Sequence, residues 1–393
     1  MAFEFITEAL EKRRSDGLLR ERQVIDAAVG PMIEVNGQHY INFSSNDYLA
    51  MRRSTVVLQA WADGISEYGG GSGASPLVTG YTNAHQALEE YLATQLNREK
   101  VLLFNSGFAA NQAACQALFS QSSAKNNQHI IADKLMHASF IDGAQATSAK
   151  LSRFKHNDMA HLQTLLTSSD ATNTLVATEG VFSMDGDQAP LPEMLNITEP
   201  KNAWLMVDDA HGFGTLGAKG LGVVEAHKLS QQQVPILMAT FGKAIGTAGA
   251  FVAGSTDFID YLINFSRHYI YSTAMPAAQA YATLQSLAAK QSAERRGILA
   301  ERIVLFKLLA EQVGLNLMAS DTAIQPVIIG DAEKALVASD KLKTLGIWVA
   351  AIRYPTVPKH TDRLRITLSA GHNEQDIHAL VDALQIALQD KPI

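Results

Sequence analysis

The chain has one cysteine, Cys115, so no internal disulfide can form. That thiol lies in an apolar helical pattern that reads as core rather than nucleophile, and a reducing, cytoplasmic setting is expected. Positive charge is short as well. Thirty-two Lys and Arg face 39 Asp and Glu, a net charge of -7, which argues against nucleic-acid binding because that rests on cations neutralising phosphates. No apolar run approaches the roughly 18 residues of a membrane span. The first residues mix Glu4, Glu8 and Glu11 with Lys12, Arg13 and Arg14 and hold no uninterrupted apolar stretch, so no secretory leader is expected. Internal repeats and low-complexity linkers are missing too. Four histidines, His137, His156, His161 and His211, include no pair at HExxH spacing, and one cysteine cannot complete a zinc site, so no metal is expected.

What remains is a 393-residue chain with 47% hydrophobic residues, enough for two or three domains around a large core. Phe3, Ile6, Ala9 and Leu10 recur at helical spacing up to Gly17. Met32–Val35 and Gln38–Phe43 flank Asn36-Gly37, a hairpin signal. A second helix starts near Thr55, and the loop Gly69–Pro76 is too glycine-rich for a regular element. Between residues 83 and 253, helices (His85–Leu96, Ala109–Phe119, Ser139–Ala146, Met159–Leu166) mingle with short apolar strands. Those strands are Lys100–Phe104, His129–Ala132, Thr174–Thr178, Ala203–Val207 and Ile236–Thr240. Buried strands separated by helices predict an α/β fold with a largely parallel sheet covered on both faces. Residues 278–313 read as a long helical stretch. The strand-like runs Gln325–Ile329, Trp348–Ile352 and Leu364–Leu368 then suggest a smaller α+β domain. The expected division is 1–55 (helix and hairpin), 56–280 (large domain) and 281–393 (small domain).

Lys243 stands between two apolar runs, in Thr240-Phe241-Gly242-Lys243-Ala244-Ile245-Gly246. A desolvated lysine is the usual source of a Schiff-base nucleophile; a lysine on a surface turn is the competing reading. A P-loop fails, because Leu237 stands where its first glycine belongs and Ala244 replaces the Ser/Thr. Asp208, at the end of Trp204–Val207, occupies the strand end where α/β sheets bind ligands; it reads as a functional acid, a turn cap or a magnesium ligand. Asn105-Ser106-Gly107-Phe108 leads straight into a helix whose N-terminus can hold an anion. Gly69-x-Gly71-x-x-Ala74 formally matches a dinucleotide fingerprint, but no strand precedes it and Pro76 spoils the following helix. A lysine, an acid, an anion-ready helix start and His211 on successive strand ends share one explanation, pyridoxal phosphate.

Several segments carry a resemblance: Asn42–Leu49, Ser106–Gln112, Thr178–Asp187, Val207–Gly212, the Lys243 stretch, Tyr271–Pro276 and Ala351–Pro358. Over nearly its whole length the chain resembles the α-oxoamine synthases, pyridoxal-phosphate enzymes of fold type I (aspartate aminotransferase-like). The resemblance implies that Lys243 binds the cofactor aldehyde and moves the substrate Cα proton. Asp208 pairs with the ring nitrogen, His211 meets the ring oxygen and His137 stacks on the ring, with a core histidine as the alternative. Ser183 approaches the ring oxygen or is a turn serine. Ser106, Gly107, Phe108 and Thr240 hold the phosphate, which Ser272 and Thr273 of a second subunit complete in a homodimer. Arg353, Arg20 and Asn46 face the substrate, with a surface arginine as the alternative for Arg353. Whole-chain likeness points to L-alanine and a pimeloyl thioester, of coenzyme A or a carrier protein; sister synthases use glycine or serine with other thioesters. An aminotransferase, a nicotinamide dehydrogenase and a DNA-binding regulator are the rivals, the last lacking a recognition-helix arrangement in residues 1–50. Two departures stand out. Ala74 replaces a loop glycine, with Pro76-Leu77 after Ser75, and Ala277 stands where the family often has proline.

Overall fold

A computed structural model describes residues 2–120 and 127–389. The first helix, Phe5–Ser15, buries none of its residues. Strands β1 (Ala27–Val29), β2 (Met32–Val35) and β3 (Gln38–Asn42) form an antiparallel meander. Its tight turn has φ of 52° at Asn36 and 74° at Gly37, the left-handed pair that a two-residue hairpin needs.

Seven strands build the large sheet: β4 (Lys100–Phe104), β5 (Gln128–Asp133), β6 (Lys150–Phe154), β7 (Asn173–Glu179), β8 (Trp204–Asp208), β9 (Ile236–Thr240) and β10 (Ala250–Gly254). Their order is β4-β10-β9-β8-β7-β5-β6, and only β10 runs antiparallel to its neighbours. Alternate residues feed two cores, with Leu103, Ile131, Val176 and Val207 on one face and Leu102, Ile130, Leu175 and Met206 on the other. The five strands expected from sequence lie within a residue or two of their places. β6 escaped notice because an edge strand tolerates the polar Lys150, Ser152 and Arg153. β10 is the apolar run Ala250–Ala253, whose direction no local pattern encodes.

The stretch 278–313 is two helices, Ala277–Ala288 and Gln291–Gln312, broken where Ala289 turns extended at ψ 125°. Strands β11 (Ile324–Ile328), β12 (Ile347–Trp348), β13 (Ala350–Ile352) and β14 (Arg363–Thr367) follow. The single run expected at Trp348–Ile352 is divided between sheets: β12 joins β3 in parallel, whereas β13 joins β14. The segment before the second helix is clamped from the C-terminal side. Thr367 N–H donates to Phe43 O (2.8 Å), Ala370 N–H donates to Tyr48 O (2.8 Å), and His372 stacks on Phe43 at 4.1 Å. These bonds hold Asn46 and Tyr48 over the sheet.

A helix, Thr55–Tyr68, precedes the glycine loop where a dinucleotide fingerprint needs a strand, and one wide turn, Pro76–Gly80, follows it. Positive φ falls at Gly69 and Gly73 and not at Ala74, so the alanine is unstrained. Ala277 simply opens its helix. Among the described residues no helix is long and apolar enough to cross a membrane.

Candidate active site

The carboxyl ends of the parallel strands meet at Lys243. Its turn after β9 closes through Phe241 N–H to Gly249 O (2.9 Å) and Gly246 N–H to Lys243 O (3.0 Å). Lys243 Nζ lies 2.8 Å from His211 Nε2, and His211 Nδ1 lies 2.6 Å from the Tyr48 hydroxyl. Burial, then the neighbouring Lys243, Arg365 and His137, hold the His211 pKa well below its ordinary value, so the ring is neutral. With a lysine ammonium donating to Nε2, the ring proton sits on Nδ1 and is donated to the Tyr48 oxygen. Burial also lowers Lys243, to about 8, with Arg365 acting in the same direction while Asp208 and Glu179 oppose it. An amine of that acidity is partly unprotonated near neutrality, as a nucleophile and base must be.

Asp208 ends β8 in the core. Its Oδ2 accepts from Asn111 Nδ2 (2.8 Å) and its Oδ1 from the Ala210 N–H (3.1 Å), which fixes the carboxylate's orientation. Asn111 also donates to Ser139 Oγ (2.9 Å), and that oxygen lies 2.7 Å from His137 Nδ1. His137 itself is exposed at the start of the helix Ala138–Gln145, so the core-histidine alternative falls. Glu179 faces Asp208 across the β7–β8 register. Burial, then the Asp208 charge, raise its pKa well above the carboxylate range, and its Oε1 has no partner. Ser183 N–H donates to the other oxygen at 3.0 Å.

At the sheet's other side Ser106 caps the helix Gly107–Ser120, its Oγ accepting from Ala109 N–H (3.2 Å). First-turn N–H groups have no partner inside a helix, so those of Gly107 and Phe108 are available to an anion. Thr240 packs beside them. A Cβ on Gly107 would stand 2.7 Å from Thr240 Cγ2, and the buried Thr240 hydroxyl has no partner. Thr273 O accepts from Asn105 Nδ2 (2.7 Å), which places Ser272 and Thr273 next to the same turn within one chain.

The residues expected to face a substrate divide. Asn46 joins the network, its Oδ1 accepting from Tyr48 (3.3 Å) and from Arg365 (3.4 Å). Arg20 is exposed, and Arg353 donates to Gly17 O (2.9 Å) at the protein's edge. Neither shares a hydrogen bond with the Lys243 network among the described residues. Arg365 does: it is 8% exposed, and its Nε donates to Ser183 O (2.7 Å). Sequence reasoning passed over it, although Arg363 and Arg365 two apart in an apolar strand put two cations on one inward face. Tyr48, Asn111 and Glu179 stood in the recognised segments without roles.

The description "Aminotransferase class I and II" matches residues 38–384. The chain therefore belongs to the class I and II aminotransferase family. Similarity narrows it further. 8-Amino-7-oxononanoate synthase from Aeromonas hydrophila subsp. hydrophila is 48% identical over 96% of this chain and 94% of its own. The same enzyme from Pseudomonas putida is 46% identical over 98% and 97%. Among solved structures, serine palmitoyltransferase from S. paucimobilis superposes with a TM-score of 0.90 at 26% identity, covering 98% of this chain and 97% of that one. 8-Amino-7-oxononanoate synthase from Francisella tularensis gives 0.76 at 32% identity, covering 88% and 97%. Within the aminotransferase class the chain belongs to the 8-amino-7-oxononanoate synthase family.

Proposed function

We propose that this protein is a pyridoxal-phosphate-dependent acyltransferase of biotin biosynthesis. It condenses L-alanine with a pimeloyl thioester, on coenzyme A or a carrier protein, and releases 8-amino-7-oxononanoate, carbon dioxide and free thiol. The observation that carries it is identity of 46–48% along nearly the whole chain to synthases of that name. Backbone likeness alone does not choose the acyl group, since a serine palmitoyltransferase superposes as well; identity favours the pimeloyl reaction.

The residues fit the cofactor. The unpartnered Thr240 hydroxyl beside the helix start at Ser106, Gly107 and Phe108 suits a phosphate, and the oriented Asp208 carboxylate suits a ring nitrogen. When bound, pyridoxal phosphate supplies an aldehyde for Lys243 and an electron sink for the pair released at the substrate Cα. Asp208 keeps the ring nitrogen protonated. Lys243 Nζ removes and returns the Cα proton, and its lowered pKa leaves a usable fraction of free amine. His211 and Ser183 would orient the ring oxygen, and the exposed His137 would be free to cover a ring face. Arg365, the buried cation beside Asn46, joins Arg353 as a candidate to bind the amino-acid carboxylate, since one bond to Gly17 O leaves most of the Arg353 donors free.

In this reading the protein works in the cytoplasm as a homodimer with the site at the subunit interface; the exposed Phe5, Ile6 and Leu10 of the first helix support the pairing alone. The test is direct. Purified protein supplied with pyridoxal phosphate turns yellow, borohydride fixes the label on Lys243, and alanine plus pimeloyl-CoA releases thiol. Failure to take up the cofactor, or turnover confined to glycine with acetyl-CoA, refutes the reading.

A further inference from the structure

His156 follows β6, between two loops that carry site residues. Its Nδ1 lies 3.1 Å from Asp133 Oδ1 at the end of β5, and its Nε2 lies 2.8 Å from Asp187 Oδ2 in the loop after β7. Asp133 is wholly buried, and its two oxygens also accept from the backbone N–H of Leu135 (2.7 Å) and Asn157 (2.9 Å). Asp187 Oδ2 accepts from Asn157 Nδ2 at 2.9 Å. The Phe182 ring meets the imidazole edge-on at 4.4 Å. Asp185 also comes close, its oxygen lying within 4.8 Å of the His156 and Asp187 ligand atoms, but it is paired with the buried Arg363 at 2.5 Å. Both ring nitrogens are committed to carboxylates, which leaves no imidazole lone pair for a metal.

A neutral imidazole has one N–H and can donate to one carboxylate only. Two carboxylate partners on opposite nitrogens therefore require both N–H groups. The joined segments matter. From Asp133 the chain runs through Lys134 and Met136 to His137, and from Asp187 it folds back through Phe182 N–H to Asp187 O (2.9 Å) onto Ser183. We propose that His156 is a positioning residue of this active site, a doubly donating imidazolium that clamps the loop carrying His137 to the loop carrying Ser183. This rests on the functional reading above. Burial opposes the charge, but Asp133 and Asp187 outweigh it and hold the imidazole pKa up to about 10. The cation touches neither cofactor nor substrate; it sets the distance between two groups that do.

The test uses the protein loaded with pyridoxal phosphate and labelled with nitrogen-15 in its histidines. At pH 8, where an ordinary histidine is neutral, one imidazole shows both nitrogens protonated, and its signals vanish in His156→Gln. A neutral tautomer at that position overturns the proposal. His156→Gln, able to donate to one carboxylate, is expected to lower kcat about 10- to 100-fold and to change the visible circular dichroism of the bound cofactor. Asp187→Asn, which keeps the Asp133 pair, shows a smaller change of the same kind and serves if His156→Gln fails to fold. A lowered melting temperature with kcat and dichroism unchanged in these variants marks a purely structural residue and also overturns it. Wild-type protein that takes up no pyridoxal phosphate refutes the functional reading instead, while the nitrogen-15 spectrum still reports on the clamp.

Discussion

Gly107→Ala tests the anion cradle at its tightest point. The added Cβ would stand 2.7 Å from Thr240 Cγ2, whereas carbon atoms rest at about 3.5–4.0 Å, so the helix start or Thr240 must give by about 1 Å. Overpacking of that kind costs about 1–3 kcal/mol. Gly107 has no positive φ, so the backbone itself accepts alanine, and the better helix former returns about 0.5–1 kcal/mol. Apo-protein stability should therefore fall by about 0–2.5 kcal/mol. The displacement falls between the Thr240 hydroxyl and the first-turn N–H groups, the groups assigned to the phosphate. If the whole cost appears there, cofactor affinity drops about 5- to 150-fold at 1.4 kcal/mol per tenfold. Titrating cofactor-free protein with pyridoxal phosphate by visible absorbance measures this, and thermal unfolding of the same sample separates stability from affinity. Thr240→Ser removes Cγ2 and keeps the hydroxyl, so the double variant Gly107→Ala with Thr240→Ser recovers most of the lost affinity. Wild-type affinity in Gly107→Ala, or a double variant no better than the single, refutes the reasoning.

Three further outcomes follow from the same geometry. Tyr48→Phe removes the hydroxyl 2.6 Å from His211 Nδ1 and leaves a buried ring nitrogen unpaired, a loss of about 1–3 kcal/mol read from the urea midpoint of the cofactor-free protein. Lys243 titrates at about 8 when folded against 10.5 for an ordinary lysine, so between those values the unfolded chain binds more protons and this group's penalty fades as pH rises. Cofactor-free Lys243→Met is then more stable than wild type by a constant margin below pH 8, and that margin closes by pH 10.5; a margin that widens with pH sinks the assignment. Gly222→Ala drives a Cβ into Asp209 Oδ2 at φ +93°, combining backbone strain with overpacking, and should cost about 2–5 kcal/mol in chemical denaturation.

Much of this was legible in the chain itself wherever the deciding interaction is local. Asn36-Gly37 announces its hairpin because few other pairs accept two successive positive φ values. The apolar runs ending at Phe104, Val207 and Thr240 announce buried strands, and the chemistry of an amine, a carboxylate and a helix start placed after them pointed to one cofactor. Lys243, Asp208 and His211 were nameable because each lies within a few residues of the end of such a run, whereas Thr240 was named through the family resemblance. Edge strand β6 and the division of Trp348–Ile352 between two sheets were not, since pairing partners distant in sequence decide them.

By itself, then, the sequence determined most of the element types and the two-sided sheet and singled out Lys243 as the candidate amine, because periodicity and residue chemistry act over a few neighbours. Only the tertiary structure decided which arginine turns inward, that Tyr48 and Asn111 hold His211 and Asp208 in place, and that His156 bridges two loops. Those outcomes hang on contacts between residues 23 to 319 positions apart, and an arginine in a strand looks the same in sequence whichever face that strand finally buries.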